Sequence, residues 1–65
     1  MYVTKHDNAG ERLVIVREDA DDAPLATFVL YGDRLRYARR DRAPRREHVN
    51  AALAAVPGAR YVERT

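Results

Sequence analysis

The sequence predicts a small α+β domain over residues 1–65: a four-stranded antiparallel meander, then one helix on one sheet face and a short C-terminal strand, in the order ββββαβ. Three observations predict it. Residues 25–37 hold two runs of β-branched and aromatic residues around Gly32-Asp33, the pattern of a hairpin with a two-residue turn. Residues 12–17 form a second strand pattern, apolar on both sides. Val49, Ala52, Leu53 and Val56 then recur at helical spacing and stop at Pro57-Gly58.

Taken in order, residues 2–6 alternate weakly and lead into Asp7-Asn8-Ala9-Gly10. Asp at the first position and Gly at the fourth suit a type I turn continuing into a glycine bulge. With Asp7 opposite Glu11, that turn sets Lys5 against Leu13, Thr4 against Val14, Val3 against Ile15 and Tyr2 against Val16. The strand that follows, apolar on both sides, belongs in the middle of the sheet. Residues 18–24 place four carboxylates in five residues and then a proline, which reads as a solvated loop. A hard-cation site is the alternative there, but the run has no glycine at a turning position and no calcium-loop ligand pattern.

In the central hairpin Gly32 supplies the positive φ that a two-residue turn needs at its first central position. Counting outward, Tyr31 opposes Arg34, Leu30 opposes Leu35, Val29 opposes Arg36 and Phe28 opposes Tyr37. One face therefore carries Phe28, Leu30, Leu35 and Tyr37, a core composition. The other carries Thr27, Val29, Tyr31, Arg34 and Arg36. Residues 38–43 form a polar connector into the helix, with Pro44 pre-shaped for the first helical turn and Glu47 suited to the positive end of the helix dipole. The stripe of Val49, Ala52, Leu53 and Val56 faces the core, with Arg45, Arg46 and Asn50 directed elsewhere, and residues 59–63 form the final strand.

A single helix covers one sheet face only. If it docks on the Phe28 face and Leu13 and Ile15 share that face, then Val14, Val16, Val29 and Tyr31 lie on the uncovered side. The loop between the hairpins does not set their relative register, and a one-residue slip exchanges the Leu13–Ile15 pair for the two valines. An apolar stripe stays open in both cases.

Composition narrows the function. A chain of 65 residues buries only about 60% of the surface its unfolded form exposes, so it needs a staple or a partner. Cysteine is absent, which removes disulfides, thiolate metal sites and thiol nucleophiles, and fits a reducing, cytoplasmic setting. No cationic leader followed by an apolar run opens the chain, and no apolar run is long enough to span a membrane. Serine is also absent, so the usual nucleophile, base and orienter set has no nucleophile. His6 and His48 fall in different elements, His6 near a turn and His48 on the helix as a partly solvated side chain. Gly10, Gly32 and Gly58 all have turn or stop duties, so no phosphate loop is expected. The chain reads as non-catalytic, with no cofactor, no metal and no small-molecule substrate.

Net charge is +2 but uneven: residues 1–33 carry −4 and residues 34–65 carry +6. Eleven of the twelve basic residues are arginine, a skew that GC-rich coding also produces. The densest signal is Arg34, Arg36, Arg39, Arg40, Arg42, Arg45 and Arg46, opposed within that segment only by Asp41.

Two functional readings follow. The favoured one is a protein-interaction module, an adaptor, regulator or inhibitor of a larger protein, that self-associates through the open sheet face. Tyrosine and arginine around an apolar centre is the composition enriched at interface hot spots, and Tyr2, Val14, Val16, Val29, Tyr31, Arg34 and Arg36 are the expected interface. The second is nucleic-acid binding, with the arginine-rich segment 34–46 on phosphates and Tyr2 or Tyr31 stacking bases.

Overall fold

The computed structural model describes residues 1–63; Arg64 and Thr65 lie outside the described residues. The chain forms β1 (Tyr2–Asn8), β2 (Glu11–Arg17), β3 (Ala26–Tyr31), β4 (Arg34–Tyr37), α1 (Arg46–Ala55) and β5 (Arg60–Tyr61). The strands lie in sequence order in one five-stranded sheet. β1 to β4 pair antiparallel and β5 adds parallel to β4, so the expected α+β class and element order are the observed ones.

The central hairpin has the register its turn implies, from Tyr31 opposite Arg34 to Phe28 opposite Tyr37. Gly32 sits at φ +60 while Asp33 stays out of the left-handed region, the pattern of a type II′ turn whose twist matches the strands. The first hairpin differs from expectation. β1 runs on to Asn8, which pairs with Glu11, leaving only Ala9-Gly10 in the loop. Both loop residues have positive φ, +53 and +84, as in a type I′ turn. The pairing therefore moves by one residue: Val3 opposes Val16, Thr4 opposes Ile15, Lys5 opposes Val14 and Tyr2 opposes Arg17. An alanine in the left-handed region closes a turn that the sequence alone reads as a bulge.

The pairing of β2 with β3 decides which side of β2 is covered. Val14 opposes Phe28 and Val16 opposes Ala26, so both valines join the core face and are 0% exposed. Their expected place on the open face is overturned, and Leu13 and Ile15, half-buried, lie there instead. This register sets both valines under the helix against Phe28 and Ala26, and just beyond its last rung the Leu25 N–H donates to the Val16 carbonyl at 2.8 Å.

The helix starts two residues beyond Pro44, with Arg45 as an extended N-cap that makes no side-chain cap hydrogen bond. Glu47 lies in the first turn as expected. Its inner face is led by His48, Ala52 and Val56, all buried, with Val49, Ala51 and Leu53 packed half-buried beside them. His48 is thus only 9% exposed rather than partly solvated, and Leu53 is more exposed than the expected stripe implies. The helix lies over β1 and β2 and touches β5. Small residues at the seam let it approach closely, and Gly58 at φ +89 turns the chain back toward the sheet. β5 is shorter than the expected strand, but its backbone is held on both sides of Tyr61, with Arg60 N–H donating to the Asp33 carbonyl and Val62 N–H to that of Leu35, each at 2.8 Å.

Phe28 lies at the centre of the core. Its ring is 5.4 Å from that of Tyr37, tilted, and 6.3 Å from that of Tyr61, edge-on. Phe28, Leu35, Val14 and Val16 are the largest fully buried side chains, each adding about 1.5–3 kcal/mol by leaving water.

Candidate interaction surface

Strand alternation and the four registers assign the face opposite the helix. Its central row runs His6, Leu13, Val29, Arg36 across β1 to β4, and the next row holds Thr4, Ile15 and Thr27. Near the two tight turns, Tyr31 stands opposite Arg34, and Arg34 stands beside Arg60 of β5. At the other end Tyr2 opposes Arg17, next to the acidic loop. The face is therefore an apolar centre of Leu13, Ile15 and Val29 with a threonine and histidine margin; three arginines gather toward one corner with Glu11 at the same turn end, and Arg17 stands at the opposite end before the loop carboxylates.

Hydrogen bonds order the β1 side of this face. His6 Nε2 lies 2.9 Å from Thr4 Oγ1, and the Arg17 guanidinium donates to Thr4 Oγ1 at 3.2 Å and to the Asp22 carbonyl at 3.0 Å. Arg17 thereby ties the acidic loop to the sheet. Within the loop the Asp22 N–H donates to the Asp19 carbonyl and Asp22 Oδ2 accepts from the Asp19 N–H. Among the described residues no His, Cys, Asp or Glu cluster suits a metal ion.

Of the expected interface residues, Tyr2, Val29, Tyr31, Arg34 and Arg36 share the open face, with Tyr2 and Tyr31 exposed. Val14 and Val16 do not belong to it. Thr4, His6 and Arg60 were not foreseen there, and Leu13 and Ile15 take the place that the one-residue slip assigns them. No sequence signal separates Leu13 and Ile15 from the valines, because all four are apolar and alternate equally well.

The arginine run is divided. Arg34 and Arg36 lie on the open face, whereas Arg39, Arg40, Arg42 and Arg46 rim a cleft of about 560 Å³ on the helix side, walled by Tyr37 and Tyr61. Arg45 is exposed, 3.6 Å from Glu47. The segment 34–46 is thus not one continuous cationic track. At the cleft Arg39 and Asp41 form a two-pronged pair, with Arg39 Nε donating to Asp41 Oδ1 at 2.9 Å. That hydrogen bond holds the Asp41 carboxyl below its ordinary range and raises the Arg39 guanidinium above its own.

No protein-family model, curated protein or solved structure matches the chain. No helix among the described residues is long and apolar enough to cross a membrane.

Proposed function

We propose that this protein is a small non-catalytic interaction module whose open sheet face docks on a second copy of itself. The single observation that carries the reading is the half-buried apolar patch of Leu13, Ile15 and Val29 on the side of a five-stranded sheet opposite its one helix. Such a face is ordinarily covered in so small a domain. The accessible surface, 4701 Å², exceeds the roughly 4,200 Å² expected of a folded monomer of this mass.

Charge supports a second copy as the occupant. The meander puts Arg34 and Arg60 at the turn end of the face and the loop bearing Glu18, Asp19, Asp21 and Asp22 at the other. Two copies stacked face to face with strands reversed set the acidic end of each toward the cationic end of its partner. The face measures about 20 by 20 Å in projection, so two copies cover about 800 Å² in projection, the size of a weak, reversible contact rather than an obligate one. The dimer is then the unit that binds a larger partner as adaptor, regulator or inhibitor.

Sedimentation equilibrium over the micromolar range tests the reading. The expected result is a reversible dimer that Val29→Asp or Leu13→Asp converts to monomer, while Arg39→Ala, Arg40→Ala and Arg42→Ala alter its salt sensitivity at most. A monomer at every concentration would sink the proposal.

A second reading, single-strand nucleic-acid binding, is favoured by one observation: Tyr31, 52% exposed, stands directly opposite Arg34 on the open face. Anisotropy with mixed-sequence oligonucleotides at two salt concentrations separates the two. Steeply salt-dependent binding lost in Tyr31→Ala supports it, and no binding at low salt removes it.

A further inference from the structure

The geometry points to the cleft between the β4–α1 connector, the start of α1 and β5 as a binding site for a small phosphorylated molecule. The phosphoryl group is held by Arg40, Arg42 and Arg46, and the organic part lies against Tyr37 and Tyr61. The site is on the helix side of the sheet and is independent of the open face.

Three observations converge on it. The first is charge: four guanidinium groups line the cleft against two carboxylates, Asp41 and Glu63. Arg39 is already committed to Asp41, whereas Arg40, Arg42 and Arg46 form no ion pair among the described residues. The excess of two positive charges matches a phosphate monoester, which carries about −1.5 to −2 at neutral pH, better than it matches a single carboxylate. Guanidinium is also the side chain whose planar fork suits phosphate oxygens.

The second is size. A volume of about 560 Å³ falls within the roughly 300–1,000 Å³ typical of small-molecule sites, and a bare phosphate leaves most of it empty. The third is the wall. Tyr37, Tyr61 and Val49 give the cleft an apolar side behind the arginines, and Tyr37 and Tyr61 are both braced by the buried ring of Phe28. The wall is therefore part of the core, while the arginines come from the connector and from the first helical residue.

Two-dimensional amide NMR of the full chain at low salt tests the assignment, with adenosine 5′-monophosphate, inorganic phosphate and adenosine as probes. The expected result is saturable shifts at residues 39–46 and 61–63 with the nucleotide, weaker shifts with phosphate, and none with adenosine. Arg42→Gln and Arg46→Gln change exposed side chains, so the rest of the spectrum should be retained while nucleotide affinity falls about tenfold each. Adenosine binding as well as its phosphate, unchanged affinity in both variants, or no saturable shift with the nucleotide each overturns the site. A short oligothymidylate distinguishes the source of the phosphate. If it shifts Arg34, Arg36 and Arg60 together with the cleft while the mononucleotide shifts nothing, the arginines serve a polymer and the small-molecule site is wrong.

Discussion

Ala9 is the clearest single point of strain. It is the one described non-glycine residue with positive φ, and it occupies the first central position of the β1–β2 turn, where asparagine before glycine is strongly preferred. Left-handed backbone costs a β-carbon residue about 1–2 kcal/mol, so Ala9→Asn should raise stability by about 1 kcal/mol in a urea melt. A lowered midpoint would show that the turn has another geometry. The Arg39–Asp41 pair gives a second prediction. The Asp41 carboxyl is held low by its hydrogen bonds from Arg39. The pair is therefore intact above the ordinary carboxylate range and is lost as pH falls through the lowered value. Carboxyl-detected NMR should find Asp41 titrating below the ordinary carboxylate range, and Arg39→Gln should return it toward that range. Both groups are on the surface and exposed to solvent, so the change should be visible at the site and nearly silent in global stability.

The sheet and the helix contribute unequally. Phe28 and Leu35 are fully enclosed between the two layers, and truncation to alanine should cost about 3–5 kcal/mol for Phe28 and 2–5 kcal/mol for Leu35. Leu53 is half-buried on the helix flank, so Leu53→Ala should cost clearly less. Urea melts that placed all three at the same cost would mean a helix rotated to the stripe of Val49, Leu53 and Val56. Ala52 tests the same docking from the other side. It has no exposed surface at the seam, so Ala52→Leu must push the helix off the sheet, at about 1–3 kcal/mol.

For the molecule as a whole, stability and association are one equilibrium if the open face is the interface. A domain of this size has little margin alone, and a partner that binds only the folded form adds stability by mass action. The thermal midpoint should therefore rise with protein concentration, and Val29→Asp should remove that dependence while leaving the amide pattern of the core in place. Added salt should weaken the contact between acidic loop and arginine corner, chiefly by slowing association. A midpoint independent of concentration across the micromolar range would separate the fold from any self-contact.

Local chemistry was enough for the elements: Gly32 set the second hairpin and its register, and the residues around Val49 to Gly58 marked a helix, its end and the return to the sheet. A two-residue turn dictates every opposed pair on its strands, so the faces of Phe28, Leu30, Leu35 and Tyr37 were legible directly. The face of β2 was not. Leu13, Val14, Ile15 and Val16 are apolar on both sides, and the eight residues between β2 and β3 do not transmit parity. The choice came from long-range pairing, which sets Val14 against Phe28 and Val16 against Ala26. The same holds for the arginines, which are a single run in the chain. β4 alternates Arg34 and Arg36 onto the open face, while the connector and helix carry Arg39, Arg40, Arg42 and Arg46 to the other side, beside rings contributed by β4 and β5. Periodicity gives a residue its side of its own strand; which other elements meet it there depends on contacts between segments far apart in the chain.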